Sequence, residues 1–238
     1  MRRFYSPIEN FRDQSVTLDA GETRHLRDVL RLIVGEEVSV FDGTGREFQC
    51  EIIEIGKKSS VLSVVKEMSP TSPESTLDLT IAATVLNSEK YDLIIQKVVE
   101  LGVSILVPLS TIRCDVKPKD AEKRIERWRR IALEATKQCG RAKLIKIAEP
   151  VAFDKFIETK KENLVLFSER DGNDFSTIAK GKKITALFGP KGGWDDSELE
   201  AARTSDANIV TLGGRILRAE TAAIAITAIL QHRFGDVN

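Results

Sequence analysis

The chain has 238 residues, of which 42% are hydrophobic and 30% charged, and its 36 basic side chains balance 36 acidic ones. This composition predicts a folded protein with one large domain or two smaller ones, and it excludes a disordered or fibrous chain. No apolar run approaches the roughly 18 residues of a membrane span, and the first residues carry no secretory signal, so we expect a cytoplasmic protein. Three distant cysteines and two histidines exclude a disulfide framework and argue against a metal site.

The first part of the chain reads as a small β-rich domain over residues 1–70. Alternating apolar residues predict strands over 37–41, 48–55 and 61–65. One helix is predicted over 22–32, and its apolar face comprises Leu26, Val29, Leu30 and Ile33. Prolines and small polar residues then mark a connector, which we place at 71–76.

The remaining residues, 77–238, alternate between strand and helix patterns. Strands are predicted over 77–85, 105–109, 144–148, 164–167, 184–188 and 208–212. Helices are predicted over 89–101, 121–139, 153–158, 195–203 and 220–234. This alternation predicts an α/β domain with a mostly parallel sheet.

Positive charge is concentrated between Arg113 and Lys143, where eleven basic residues face five acidic ones. Such a segment is either a solvated helix face or a surface that binds nucleic-acid phosphates. The charge pattern alone leaves both interpretations open.

Two strand ends carry unusual loops, and ligands bind at the carboxyl ends of strands in open parallel sheets. Residues 189–194 read GPKGGW, and glycines let the backbone approach a ligand closely. Asp195 and Glu198 then fit a helix capping box. Residues 212–222 read LGGRILRAETA. Each loop alone could be an ordinary strand-to-helix turn, whereas two such loops on adjacent strands predict a ligand pocket. The motifs GxxxxGK[ST] and GxGxxG are missing, which argues against a P-loop enzyme and, more weakly, against a Rossmann dehydrogenase.

These two loops resemble the signature pair of the RsmE family, SPOUT-class RNA methyltransferases that use S-adenosylmethionine. Three further stretches resemble the family, and they read RHLRDVLR over 24–31, QKVVELGV over 96–103 and WRRIALEATKQCGR over 128–141. Two positions depart from the family pattern. Lys191 stands where the family usually has Glu, which puts donor affinity in doubt, and Gly214 stands where it usually has Pro.

The resemblance implies a PUA-like β-barrel joined to a SPOUT domain with a trefoil knot. It implies a homodimer that methylates uridine N3 in small-subunit (16S) ribosomal RNA, either as free RNA or in the assembled particle. A sulfonium donor is already activated, so no metal is expected. Two alternatives remain open, a non-catalytic RNA-binding homologue and a SPOUT methyltransferase that acts on another RNA.

The resemblance also implies site residues. Arg218 is expected to stabilise the uracil oxygens, and Glu220 is expected either to act as the base or to orient Arg218. Expected donor-binding residues are Phe167, Gly189, Pro190, Gly192, Gly193, Leu212, Gly213, Arg215, Ile216, Leu217, Thr221 and Ala222. From the basic clusters themselves, Arg24, Arg27 and Arg31 at helical spacing are expected to bind RNA, as are Arg127 and Arg130 on the basic helix and Arg141 after it. Lys191 is assigned no catalytic role.

Overall fold

The structure is a computed structural model that describes residues 1–159 and 161–237. Residues 160 and 238, which fall inside the predicted second domain, lie outside the described residues. Contacts group the chain into two compact units. The first unit comprises Met1–Glu74 with Thr136–Leu144, and the second comprises Ser75–Ala135 with the residues from Ile145 onward.

The first unit is built on a six-stranded sheet with the order β1-β4-β5-β6-β3-β2. Its strands are β1 (Arg3–Tyr5), β2 (Phe11–Arg12), β3 (Ser15–Leu18), β4 (Glu37–Phe41), β5 (Glu47–Ile55) and β6 (Ser60–Met68). Strands β1 and β4 pair in parallel, and the other neighbours pair antiparallel. Alternate residues of these strands form a buried apolar cluster that includes Phe4, Val38, Val40, Ile52 and Leu62. The β-rich prediction for this region is therefore confirmed.

The prediction of a helix over 22–32 is wrong at its C-terminal end. Helix α1 (Ala20–Arg24) continues directly into a π-helical turn (His25–Val29), in which the Leu30 N–H donates to the His25 carbonyl. The wider turn rotates the following residues off the expected face, so Leu26 is buried but Val29 and Ile33 are each 67% exposed. Leu26 and Leu30 therefore pack on the apolar cluster of the first unit, whereas Val29 and Ile33 face solvent.

A distant segment, 136–144, completes the first unit. The Arg3 guanidinium donates to the Thr136 carbonyl at 3.1 Å. The Lys137 ammonium lies 2.7 Å from the Glu22 carboxylate, and both side chains are at least nine-tenths buried. These contacts join residues far apart in the sequence, which local patterns cannot anticipate.

The second unit is an α/β layer structure. Its strands are β7 (Asp78–Thr84), β8 (Ile105–Ser110), β9 (Lys146–Ile147), β10 (Val151–Ala152), β11 (Leu164–Phe167), β12 (Lys183–Phe188) and β13 (Asn208–Val210). Its helices are α2 (Ser88–Glu100), α3 (Pro118–Glu122), α4 (Ile125–Cys139), α5 (Phe153–Glu158), α6 (Asp196–Thr204) and α7 (Ala219–Phe234), and the last residues of α4 belong to the first unit. Short 3-10 turns occur at Ile8–Asn10 in the first unit and Phe175–Thr177 in the second.

The sheet of the second unit has the order β10-β8-β7-β12-β11-β13, and β9 pairs with β8. Every pairing described in this sheet is parallel, which confirms the predicted α/β class. The expectation that the two loop-bearing strands are adjacent is wrong, because β11 lies between β12 and β13. The two loops therefore flank a third strand end. The trefoil knot stays a prediction.

The long helix predicted over 121–139 is two helices. Pro118 starts α3, a turn follows at Lys123, and α4 begins at Ile125. The expected apolar face of α4 is confirmed, because Trp128 is 1% exposed and its ring lies 4.8 Å from that of Tyr91. Within the described residues no helix is long and apolar enough to cross a membrane. Those residues also contain no metal-binding cluster of His, Cys, Asp or Glu.

Candidate functional site

A cavity of about 290 Å³ opens at the carboxyl ends of β11, β12 and β13. One wall is the loop after β12, residues 189–195, which we call the glycine loop. The opposite wall belongs to the loop after β13, residues 211–218, which we call the arginine loop. Parallel strands bring these loops to one edge of the sheet, so the predicted ligand pocket is present in the structure.

Ten of the twelve residues expected to bind the donor line this cavity, namely Phe167, Gly189, Pro190, Gly192, Gly193, Leu212, Arg215, Ile216, Leu217 and Ala222. The lining does not include Gly213 or Thr221. Gly213 has a φ of +69° and serves the turn of the arginine loop, whereas Thr221 lies on the exposed side of the first turn of α7. The lining also contains residues that sequence reasoning missed, namely Ser168, Glu169, Phe188, Lys191, Trp194, Ala219 and Ile226.

The glycine loop requires glycine at two positions. A Cβ on Gly189 would lie 2.9 Å from the buried Trp194 ring, whose Nε1 donates to the Phe167 carbonyl at 2.8 Å. Gly193 has a φ of +73°, and a Cβ there would lie 2.7 Å from the Glu169 Oε1 atom. The positive φ therefore strains any larger residue at Gly193, and the Glu169 carboxylate would have to move to admit its Cβ.

Two arginines outside the cavity lining hold the glycine loop. Arg113, in the loop after β8, donates from Nη1 to the Gly192 carbonyl at 3.1 Å and from Nη2 to the Asp195 carboxylate at 3.0 Å. Arg170, after β11, donates to the Trp194 carbonyl at 3.3 Å. Sequence analysis counted Arg113 only as part of the basic segment, because its spacing from the loop gives no sign of contact.

The predicted capping box at the start of α6 is confirmed. Glu198 is 2% exposed, and its Oε2 accepts the Asp195 N–H at 3.0 Å. Its Oε1 accepts the Ile112 N–H at 2.9 Å, so one buried carboxylate joins the glycine loop to the loop after β8. Hydrogen bonds from two backbone N–H groups compensate for the burial of this charge.

The arginine loop is held much more loosely. Ile216 is 85% exposed and Leu217 37%, and nothing lies within 4 Å of a Cβ placed at Gly213 or Gly214. In the part of the chain that the structure describes, backbone hydrogen bonds hold Thr211 and resume at Arg218, and none holds residues 212–217. The wall that carries Arg215 and Arg218 is thus largely open to solvent.

Glu220 lies in the first turn of α7 and pairs with Lys90 on α2, with 2.9 Å between Oε1 and Nζ. Burial raises the pKa of Glu220, but the hydrogen bond and charge of Lys90, its own backbone N–H and the charge of Arg218 outweigh this effect. The pKa therefore lies below its usual value, and the carboxylate is occupied by Lys90. This geometry favours the expectation that Glu220 orients its surroundings over the expectation that it removes a proton.

Four of the six arginines expected to bind RNA are exposed to solvent, namely Arg24, Arg31, Arg127 and Arg130. Arg24 and Arg31 are exposed, although Arg31 has a φ of +54° and lies beyond the helix, so the expected helical spacing is wrong. Arg127 is half-exposed and pairs with Asp92, and Arg130 is exposed on the same helix.

The other two expected RNA-binding arginines are engaged within the protein. Arg27 pairs with Asp28 at 2.7 Å and also donates to the Gly56 carbonyl. Arg141 is 3% exposed and pairs with Glu74 at 2.7 Å, so its guanidinium is not presented to an RNA phosphate. The expectation for Arg141 is corrected accordingly, because this side chain closes the first unit instead of facing solvent.

Comparison with known proteins agrees with this geometry. A family model described as an RNA methyltransferase domain matches residues 73–231, and one described as an RNA methyltransferase PUA domain matches residues 18–65. Ribosomal RNA small subunit methyltransferase E of Rickettsia conorii is 32% identical over 88% of this chain and 85% of its own length. The protein of the same name from Aquifex aeolicus is 30% identical, covering 98% of this chain and all of that one.

Solved structures show the same similarity. The crystal structure of a ribosomal RNA small subunit methyltransferase E from Neisseria gonorrhoeae, bound to S-adenosylmethionine, matches with a TM-score of 0.91 and 31% identity, covering 100% of both chains. A putative methyltransferase from Legionella pneumophila, also in complex with that cofactor, matches with a TM-score of 0.90 and 30% identity over 99% of this chain and 98% of that one.

A parallel sheet with a cavity between two glycine-containing strand ends, together with these matches, defines an RNA methyltransferase with a PUA domain. The chain belongs to the ribosomal RNA small subunit methyltransferase E family. The resemblance drawn from the sequence is therefore confirmed.

Proposed function

We propose that this enzyme transfers the methyl group of S-adenosylmethionine to N3 of a uridine in 16S ribosomal RNA. The observation that carries the proposal is the cavity between the glycine loop and the arginine loop, since it gathers ten of the expected donor-binding residues at one edge of the sheet. The Neisseria relative that matches the whole chain is bound to this same donor.

The residues of the cavity fit such a donor. Phe167 and Phe188 stack with their ring centroids 5.3 Å apart and form part of an apolar wall suited to a purine. Gly189, Gly192 and Gly193 carry no side chains, so their backbone groups can approach the polar edges of the ligand. When bound, S-adenosylmethionine supplies a methyl group that is already activated by its positive sulfur.

Arg218 is the residue that we assign to the acceptor. It is exposed and immediately precedes α7, at the end of the helix where the dipole favours negative charge. When uracil N3 loses its proton, negative charge develops on the neighbouring oxygens, and a guanidinium beside them stabilises it. Glu220 fixes the first turn of α7 through Lys90 and thereby positions Arg218. The uridine must be unpaired or extruded, because its N3 is occupied in a base pair.

We propose one RNA-binding patch on each unit. Arg24 and Arg31 form the patch on the first unit, and Arg127 and Arg130 form the patch on α4 of the second. Phosphate contacts release counterions, so affinity for RNA should fall with salt, and reversing the charge of Arg127 and Arg130 should flatten that dependence. The substrate is free ribosomal RNA or the small-subunit particle, and the site of action is the cytoplasm.

We also propose that the chain acts as a homodimer with modules over residues 1–70 and 77–238, except that residues 136–144 group with the first module. Helix α7 is rich in alanine and isoleucine on all sides, yet Ile224, Ala225 and Ile229 are only partly buried. The exposed Ile216 lies just before this helix. A second copy of the chain would cover such an apolar surface.

Mapping of modified nucleosides in 16S RNA from a strain that lacks the gene tests the reaction. We expect N3-methyluridine to disappear and to return with the wild-type gene but not with Arg218→Ala. An unchanged level contradicts the proposed substrate, and loss of a methylated nucleoside from another RNA identifies a sibling methyltransferase. Calorimetric titration with S-adenosylmethionine tests the non-catalytic alternative, which predicts no binding at millimolar ligand.

A further inference from the structure

The carboxylate of Glu169 holds a distinctive place in the cavity. It follows β11, the strand between the two loop-bearing strands, and it lies against Gly193, where a Cβ would come within 2.7 Å of Oε1 and 3.4 Å of Cδ. The side chain is 35% exposed, and its nearest described cation is the Arg170 Nε at 3.9 Å, too far for a hydrogen bond. The carboxylate therefore keeps acceptor capacity toward the cavity.

The charges around the cavity are unevenly divided. Among the lining residues that the structure describes, Glu169 carries the only negative charge, and Lys191 and Arg215 carry positive charges. A ligand with a positive centre is thus attracted by one side chain and repelled by two.

Methyl transfer changes the charge of the molecule in this cavity. The bond between sulfur and the methyl carbon breaks, its electron pair stays on sulfur, and a bond from uracil N3 to that carbon forms as the N3 proton passes to solvent water. The sulfonium donor becomes a neutral thioether product, S-adenosylhomocysteine. The two compounds share their adenosine, amino and carboxylate groups, so they differ at this one centre in charge and in one methyl group.

We infer that Glu169 is the residue that makes the cavity prefer the charged donor over the neutral product, and that Lys191 opposes this preference. The inference rests on the proposed use of S-adenosylmethionine. It assigns a role to the lysine in the glycine loop that the reaction mechanism does not use. Because Glu169 and Lys191 are both partly exposed, solvent and salt weaken their effects.

The test is the ratio of two dissociation constants, that of S-adenosylhomocysteine divided by that of S-adenosylmethionine, measured by calorimetry on the same preparation. Glu169→Gln keeps the shape of the side chain and removes its charge, and we expect the ratio to fall about three- to tenfold. Lys191→Gln should raise the ratio, and an unchanged ratio would show that Lys191 does not oppose the preference. Glu200→Gln, on the exposed side of α6, is the matched control and should keep the wild-type ratio.

The outcomes separate this inference from the proposed function. If Glu169 instead binds the amino group or the ribose, Glu169→Gln weakens both ligands equally, the ratio stays constant, and the inference is overturned. A lower ratio for Lys191→Gln also overturns it, because the sign of the charge would then be irrelevant. Should Glu169→Gln fold poorly, Glu169→Ala provides the same ratio. If neither compound binds the wild-type protein, the proposed function fails instead.

Discussion

The two loops that face each other across the cavity differ in how they are held. Arg113 and Arg170 donate hydrogen bonds to carbonyl groups of the glycine loop, and the buried Glu198 accepts the N–H of its last residue. The arginine loop has exposed apolar side chains, and within the described residues its attachments lie at its two ends. Both loops follow strands of one sheet, so position after a strand does not by itself determine how firmly a loop of the cavity is held.

This difference suggests a division of labour. The glycine loop is shaped by the protein itself, which suits a surface that must match the donor before it arrives. The arginine loop has few internal contacts, so its ordering depends on groups that it meets during binding, such as the donor, the RNA or a second copy of the chain. Substitutions in the two loops should therefore affect different steps.

The largest effect is expected from Gly193→Val in the glycine loop. A branched side chain at a φ of +73° is strained, and its Cβ would collide with Glu169. Affinity for S-adenosylmethionine, measured by calorimetry, should fall about a hundredfold. Gly214→Ala in the arginine loop is the control, because its Cβ would enter open space, and it should change affinity less than about twofold. Equal losses would show that the two loops are held alike.

Arg218→Ala should separate chemistry from donor binding. Because Arg218 is absent from the cavity lining and we assign it to the acceptor, kcat should fall about a hundredfold while the donor dissociation constant stays near wild type. Arg215→Ala, three residues earlier in the same loop, should instead weaken donor binding because Arg215 lines the cavity. Single-turnover kinetics with purified ribosomal subunits measure both effects. A parallel loss of kcat and affinity in Arg218→Ala would assign this residue to the shape of the pocket.

Arg113→Ala tests whether the hold on the glycine loop matters for the donor. Loss of two hydrogen bonds from a half-exposed guanidinium should raise the donor dissociation constant about tenfold. Arg129→Ala removes a charge of the same basic segment that pairs with Glu126 and Glu149, and it should leave donor affinity unchanged. Similar donor affinities in the two variants would show that Arg113 only adds charge to the basic segment and that its hydrogen bonds to the glycine loop do not affect donor binding.

The smallest effect concerns the anchor that follows the arginine loop. The pKa of Glu220 is lowered in the folded protein, so its pairing with Lys90 stabilises the fold above the usual value of 4.5 and this stabilisation is lost as the pH falls through the folded pKa. Denaturant unfolding should show Glu220→Gln less stable than wild type by about 0.5–1 kcal/mol at neutral pH. The difference should shrink as the pH falls through the folded pKa of Glu220. A difference that persists in acid would point to lost packing instead of lost charge.

Strong periodicity made several elements predictable from the sequence. Strands β4 and β11 and helix α5 have the predicted bounds, and the capping box of α6 was evident from Asp195 and Glu198. These features depend on neighbours within a few residues, and such local signals survive in the fold.

The features that were missed depend on tertiary placement. Glu169 follows a short strand without glycines, and only the position of β11 between β12 and β13 brings it into the cavity. Arg113 reaches Gly192 across 79 residues of sequence, and Arg141 is drawn inward by Glu74. Strand order and long-range ion pairs produce no periodic pattern in the sequence. The two loops of the site were therefore predicted, whereas the residues between them and the residues that hold them were not.

The assignment of residues 136–144 to the first unit bears on how this protein can be dissected. Helix α4 starts among the residues of one unit, and its final turn belongs to the other. A fragment cut at the proline-containing connector would keep Glu22 and lose Lys137, stranding a buried carboxylate without its counter-ion. The amino-terminal portion consequently depends on downstream sequence to mature, and during synthesis it can be completed only after the ribosome has translated past residue 144.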